Sequence, residues 1–477
     1  MVQRRNFIKN MAMASVALSS PELFNSNIFR DTFVSNRPPQ KSRNFTSEEV
    51  ESAIKSFHAG VKNKELAWLF ENCFPNTLDT TVDFEMIDGK SDTYIITGDI
   101  DAMWLRDSTA QVWPYLTLMK NDKNLQLLIA GVIRRQTKFI HIDPYANAFY
   151  KDPSKVGEWK DDLTVMRPGV HERKWEIDSL CYPIRLAYSY WKESGDISPF
   201  DQGWKEGIRL TVQTFKEQQR KEGDGPYKFQ RTTAWATDGV PIAGYGYPCN
   251  KVGLIHSMFR PSDDATIFPF LIPSNYFAVK VLRYAAEMVS AIFSDKVLAA
   301  SCLTLADEVQ AALNTYATTQ HVKYGKVYAF ETNAYGSYNL MDDANVPSLL
   351  SLPYLDAVSA DDATYQSTRR YILSTDNPFF FEGKAGYGIG GPHTGMDMIW
   401  PIGLAMRGLT STDDKEIRSC IVQLMNTHGG TGFMHESFHK DDASHFTRKW
   451  FAWANTLFGE FLWKTFKQKP YLLDQID

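Results

Sequence analysis

The stretch GGTGFMHESFHKDDASHFTRKWFAWAN, Gly429 to Asn455, admits two incompatible readings. Read as a helix, it carries the H-E-x-x-H pattern. His435 and His439 would then share one helical face as zinc ligands, Glu436 would be the base, and His445 would fall where a third ligand belongs. Four features oppose this. Asp442 stands where a glycine should turn the chain before the third ligand, and Gly429, Gly430 and Gly432 crowd the place where the helix should already run. No methionine follows Met434, and only 32 residues remain after His445, too few for the rest of such a domain. In the other reading Glu436 is one of two carboxylates acting on a glycosidic bond, and the surrounding fold is a helical toroid.

Composition narrows the field. The chain has 477 residues, enough for one large helical domain, and 43% hydrophobic content to fill its core. Net charge is −5, from 51 Lys and Arg against 56 Asp and Glu, so no nucleic-acid surface is expected. The 12 Trp, 22 Tyr and 30 Phe suit a large core and a cleft that stacks on sugar rings. The five cysteines (Cys73, Cys181, Cys249, Cys302, Cys420) contain no C-x-x-C pair and give no disulfide framework or thiolate zinc site. Arg4-Arg5-Asn6-Phe7-Ile8-Lys9 ahead of the apolar Met11 to Leu18 has the form of a twin-arginine export signal over residues 1–25, with a linker over 26–45. No later segment has the apolar length of a membrane span.

From Ser47 onward helical patterning rarely stops. Ser47 with Glu48 and Glu49 opens a helix. Leu125 to Ile140 and Ile177 to Trp191 form two more, and Ser274 is expected to cap a run through Phe277, Val281 and Met288. Ser411-x-x-Asp414 has a capping-box form ahead of Ile417 and Ile421, and Phe451 to Phe466 makes the last helix. About a dozen helices, few alternating strands and no internal linker predict an all-α fold, a toroid of paired helices. Its long loops would carry the site.

Two further clusters carry charge. Gly98-Asp99-Ile100-Asp101-Ala102-Met103-Trp104-Leu105-Arg106-Asp107-Ser108 lies between an extended segment and a helix start. As a calcium loop it fails, with Met103 at the third ligand position and Trp104 at the glycine. It reads either as a helix cap with an ion pair or as a clamp for sugar hydroxyls. Arg260-Pro261-Ser262-Asp263-Asp264-Ala265-Thr266 is either a turn or a pair of carboxylates of which one is kept protonated as a general acid.

Together with 171–188 (HERKWEIDSLCYPIRLAY) and 390–401 (GGPHTGMDMIWP), these stretches resemble glycoside hydrolase family 125, the exo-α-1,6-mannosidases, over nearly the whole chain after residue 45. The resemblance implies an (α/α)6 barrel over 46–477 and hydrolysis with inversion, with no metal or cofactor at the centre. It makes Glu436 the general base and an Asp of the R-P-S-D-D segment the general acid; Asp263 is favoured and Asp264 is the alternative. Asp99, Asp101, Trp104, Arg106, Asp107, His393, Asp397, His435 and Arg448 become substrate-binding candidates, with Trp175, Glu176, Asp178 and Trp400 as further cleft residues. An inverting pair is expected to stand about 6.5–9.5 Å apart, leaving room for a water. The expectation is a periplasmic or secreted enzyme that trims terminal α-1,6-linked mannose from mannan or N-glycan fragments. Its alternatives are a zinc metalloprotease and a non-catalytic mannoside-binding protein on the same scaffold.

Overall fold

The patterned runs form helices where their caps allow. In the computed structural model, which describes residues 33–476, the Ser47 hydroxyl accepts from Val50 N and starts α1 (Glu48–Gly60). Asn63 caps α2 (Lys64–Cys73) in the same way, and the short α3 (Asn76–Thr80) follows. Then come α4 (Leu105–Val112), α5 (Lys123–Ile142), α6 (Ile177–Ser194) and α7 (Gln202–Gln218). The second half contributes α8 (Ile272–Phe293), α9 (Lys296–Tyr316), α10 (Ala363–Ile372), α11 (Pro401–Leu409), α12 (Asp414–Asn426) and α13 (Ala452–Gln468).

Two expected caps are displaced. α8 begins at Ile272 with Pro273 in its first turn, where a missing N–H costs nothing. Ser274 is therefore inside the helix and fully buried. At α12 the cap is Asp413, whose carboxylate accepts from Lys415 N, while Ser411 turns its hydroxyl to Glu416 at 2.5 Å.

The helices fall into two layers. α13 packs on α4, α4 on α6, α6 on α8, and α11 on α13. Residues 177–187 of α6 are all buried, as in a helix enclosed on every side. Outside this layer, α5 covers α6 and touches α7, α9 lies on α8 and α7, and α12 lies on α11. α2 covers α13. The irregular segment 342–357 packs against α6 and α13. Tyr182 and Arg185 of α6 donate to the carbonyls of Val346 and Tyr354, both at 2.8 Å, and the Tyr354 hydroxyl reaches Glu460 of α13 at 2.9 Å.

The expectation of few strands needs correction. Among the described residues there are fifteen short strands in six sheets of two or three strands. Most are two to six residues long, too short for a period of two to stand out in sequence. One sheet joins Met103–Trp104, Ala148–Phe149 and Val170–Glu172; another joins Met398–Ile399, Ser437–His439 and Asp442–Thr447. Both hold loops of the site described below.

The expected export signal, residues 1–25, lies outside the described residues. Of the expected linker 26–45, the part from Ser35 belongs to the same compact unit as the helices. The Arg37 side chain is buried there, donating to Asp79 at 2.7 Å and to Glu51 at 3.1 Å. Among the described residues no helix is long and apolar enough to cross a membrane.

Candidate active site

Arg106, the second residue of α4, organises one side of the site. Its Nη1 donates to Glu176 Oε2 at 2.6 Å and Asp178 Oδ2 at 3.1 Å. Its Nη2 donates to Asp263 Oδ1 at 2.9 Å, and Nε lies 3.5 Å from Asp107 Oδ2. One guanidinium thus serves four carboxyl groups, and they cannot all ionise cheaply in a buried place. Burial pushes Asp107 and Asp178 up to about 6 against the pull of Arg106, and pushes Glu176 well above the carboxylate range. Asp263 goes the other way. Burial would raise it, but Arg106 and then Lys174 hold it well below its ordinary value.

The two adjacent aspartates have different surroundings. Asp263 N donates to Arg260 O at 2.9 Å and Arg260 N to Asp264 O at 2.7 Å, closing a tight turn with Asp263 at φ 65. Aspartate tolerates that left-handed conformation better than most residues. The turn sends the Asp263 carboxyl to Arg106, where it keeps 22% of its surface exposed. The Asp264 carboxyl goes to His393 Nδ1 and the Ser262 hydroxyl, both at 3.4 Å, and is 1% exposed. Only Asp263 of the two is open enough to meet a substrate.

Glu436 is buried at a bend just before the strand Ser437–His439. Asn455 of α13 clamps Met434, two residues earlier, through its N and O at 2.9 and 3.1 Å. Arg448 Nη1 lies 3.5 Å from Glu436 Oε1, while its Nε and Nη2 hold Asp99 at 2.9 and 2.6 Å and Nη2 reaches Thr97 at 3.3 Å. The backbones of these two stretches also meet, through Asp99 N to Trp450 O at 3.3 Å and Ala452 N to Thr97 O at 3.0 Å. Gly98 between them has φ 128, and a Cβ there would sit 2.4 Å from the Trp450 carbonyl oxygen. Glycine is required at that position.

His393 lies in the electrostatic field of both Asp263 and Glu436. Burial disfavours its charge, but Asp264, Glu436 and Asp263 outweigh that and raise it to about 9. The site therefore holds a cationic imidazole among three acidic groups at neutral pH.

The sequence candidates divide accordingly. Arg106, Asp107 and Asp263 form one contact set, Asp264 and His393 a second, and Glu436, Arg448 and Asp99 a third, with His393 in the electrostatic field of Asp263 and Glu436. Asp101 points its largely exposed carboxylate at Lys155, 3.1 Å away. Asp397 pairs at 3.6 Å with Lys440, in the turn after the strand Ser437–His439. Neither has a contact with the cluster. His435 is also a correction. Its ring stacks on Phe446 at 3.7 Å, and its nitrogens face the carbonyls of Lys449 and His428 at 3.3 and 3.2 Å, which leaves no free edge for a sugar. Trp104 is buried edge-on against His171, but its indole Nε1 has no hydrogen-bond partner. Trp400 is a core residue with its Nε1 on Thr394 at 2.9 Å.

The zinc reading fails on geometry. The motif is extended from Ser437, not helical. The His435 nitrogens are taken by the carbonyls of Lys449 and His428. His439 stacks instead beside His445, with ring centres 5.5 Å apart. Among the described residues no group of His, Cys, Asp and Glu has an arrangement that could hold a metal.

Three site residues went unnoticed in the sequence. Asn147 donates to Glu172 at 3.0 Å and to Asp263 at 3.4 Å. Lys174, buried, lies between Glu172 at 3.3 Å and Asp238 at 3.0 Å. Thr97 receives Arg448. The charge density of HERKWEID was the available signal for Lys174; Asn147 gave none.

A profile of the metal-independent α-mannosidases (GH125) matches residues 63–463. A Schizosaccharomyces pombe protein, the meiotically up-regulated gene 157 protein, is 41% identical over 455 residues, covering 92% of this chain and 89% of its own. Among solved structures, a Streptococcus pneumoniae metal-independent α-mannosidase in a non-productive complex with α-1,6-mannobiose is 41% identical. It covers 89% of this chain and 100% of its own, with a TM-score of 0.86.

Proposed function

The chain belongs to the metal-independent α-mannosidases of family GH125, and from that premise we propose that it is an exo-acting, inverting enzyme for terminal α-1,6-linked mannose. The mannobiose in the S. pneumoniae relative supports the linkage. The observation that carries the mechanism is the pairing of an accessible carboxyl, Asp263, with a second, separately clamped carboxyl, Glu436, with His393 in the electrostatic field of both.

Asp263 is the acid. It delivers a proton to the glycosidic oxygen as the bond from C1 breaks. Glu436 is the base and takes a proton from the water that attacks C1 from the opposite face, so the product is β-mannose. Arg448 orients Glu436 from 3.5 Å. Arg106 and Asp107, with the Arg448–Asp99 pair, are suited to bidentate contacts with mannose hydroxyls. The His393 cation offsets negative charge gathered in the site. Mannan and N-glycan fragments are the expected substrates.

The two helix layers support closure as an (α/α)6 barrel, with α4, α6, α8, the 342–357 segment, α11 and α13 as the inner ring. The Arg4-Arg5 pattern supports export to the periplasm or medium, which cell fractionation tests.

Glu436→Ala with added azide tests the role of the base directly. The variant is expected to hydrolyse α-1,6-mannobiose at a rate lowered by about 10²–10⁴-fold. Azide entering the vacated face is expected to yield β-mannosyl azide. Full activity without azide would remove Glu436 from the role.

A further inference from the structure

Asp263 presents a difficulty for its own role. It accepts a hydrogen bond from Arg106 Nη2 at 2.9 Å and a longer one from Asn147 at 3.4 Å. A carboxyl so placed rests as the anion, and an anion has no proton to give. The missing proton has a place nearby. Glu176, the residue before α6, is fully buried. Its Oε2 accepts from Arg106 at 2.6 Å and from the Ser179 hydroxyl at 2.8 Å. Its Oε1 is sealed from solvent and receives no donor from the protein. Glu176 and Asp263 are held on the two amino ends of the one Arg106 guanidinium, at 2.6 and 2.9 Å. Two carboxyl groups crowded onto one buried cation are favoured when they keep a proton between them.

We propose that Glu176 and Asp263 act as one acid, holding a single proton that Glu176 stores at rest and Asp263 delivers to the glycosidic oxygen. This rests on the assignment of Asp263 above. Glu176 is a positioning residue because it acts through Asp263. The charged and titratable groups around the pair are Arg106, Asp107, Asp178, His171, Glu172, Lys174 and His393. Arg106 bridges both members, so whichever oxygen carries the negative charge stays compensated as the proton moves. A mannoside over Asp263 removes water from its exposed face, which favours the neutral acid there and draws the proton across. The step then balances. The proton bonds to the glycosidic oxygen, which keeps the electron pair of the broken C1–O bond. Water bonds to C1 and yields its own proton to Glu436. The pair regains one proton from solvent before the next turnover. Such a pair titrates as a unit, as two carboxylates sharing one proton do.

Glu176→Gln tests this, assayed on α-1,6-mannobiose and on 2,4-dinitrophenyl α-mannoside, whose leaving group departs without protonation. The amide keeps the shape and a donor to Asp263 but has no transferable proton. Activity on mannobiose is expected to fall by at least about 100-fold, within the span usual for a general acid. Activity on the dinitrophenyl substrate is expected to stay within about threefold, as it owes nothing to acid catalysis. The alkaline limb of the mannobiose profile is expected to move to lower pH. Equal losses on both substrates, or an unmoved limb, would overturn the proposal. Asp263→Asn, run beside it, separates this from the underlying assignment. If that variant still cleaves mannobiose well, Asp263 is not the acid and the reading beneath fails. If it shows the leaving-group split and Glu176→Gln does not, only the shared proton fails. Should Glu176→Gln not fold, carboxyl-13C-labelled glutamate in the wild-type enzyme answers by NMR. One glutamate is expected to titrate together with the alkaline limb and to lose that titration in Asp263→Asn. Its absence overturns the proposal.

Discussion

His393 shows at the level of one residue how the site sets its charges. A histidine raised to about 9 on folding stabilises the protein fully below its ordinary value near 6.5, and that stability is lost as pH rises through about 9. His393→Gln is therefore expected to lower Tm at pH 6, with the gap to wild type closing by about pH 10. Thermal melts across that range check it, and a pH-independent gap would contradict the ion cluster. Asp264 has a different expectation from its neighbour. Asp264→Asn is expected to keep acid catalysis while weakening the hold on His393, whereas Asp263→Asn loses hydrolysis of mannobiose by about 10²–10⁴-fold. At this scale the sequence identified most of the charged residues but not their directions. Asp263 and Asp264 are equivalent as letters and are separated only by a turn at φ 65. His435 looked like a site residue because it neighbours Glu436, yet its ring stacks on Phe446 and its nitrogens are taken by backbone carbonyls.

The elements explain why distant stretches meet. Gly98 lets residues 97–99 lie against Trp450 and Phe451, so that Asp99 and Arg448 steady Glu436. Gly98→Ala is expected to drive the two segments apart and lower kcat at least tenfold, on the order of the cost of a 1 Å misplacement. Kinetics on mannobiose with a parallel denaturation curve check whether activity falls further than stability explains. Capping is the other lever. Asp122 caps α5 through Leu125 N at 2.9 Å and also receives the Ser47 hydroxyl at 2.6 Å, linking the starts of α1 and α5. Ser47→Ala is expected to cost about 1 kcal/mol in chemical denaturation, and Asp122→Ala more, since it unseats both caps. The helices were legible because their apolar spacing runs for many turns. The caps at Ser274 and Ser411 were misread because Pro273 and Asp413 supply better starts, and the short sheets were too brief to read at all.

Across the whole molecule, no disulfide links the five cysteines, and four of them are buried thiols. A reductant is accordingly expected to leave Tm unchanged, and a fall in Tm would mean a cross-link that the fold does not contain. The layering of helices was foreseeable from their number, and the residues that meet at its centre were foreseeable from three long motifs. What periodicity could not supply is the irregular 342–357 segment, which packs against α6 and α13 through hydrogen bonds to Tyr182 and Arg185 and from Tyr354 to Glu460. The central claim is that Asp263 and Glu436 work as acid and base to invert a terminal mannoside. Proton NMR of α-1,6-mannobiose during its first turnovers, with EDTA present, tests it most directly. The account expects β-mannose to appear first and to mutarotate later. α-Mannose appearing first would turn one carboxyl into a nucleophile, and cleavage only after a metal is restored would contradict the account.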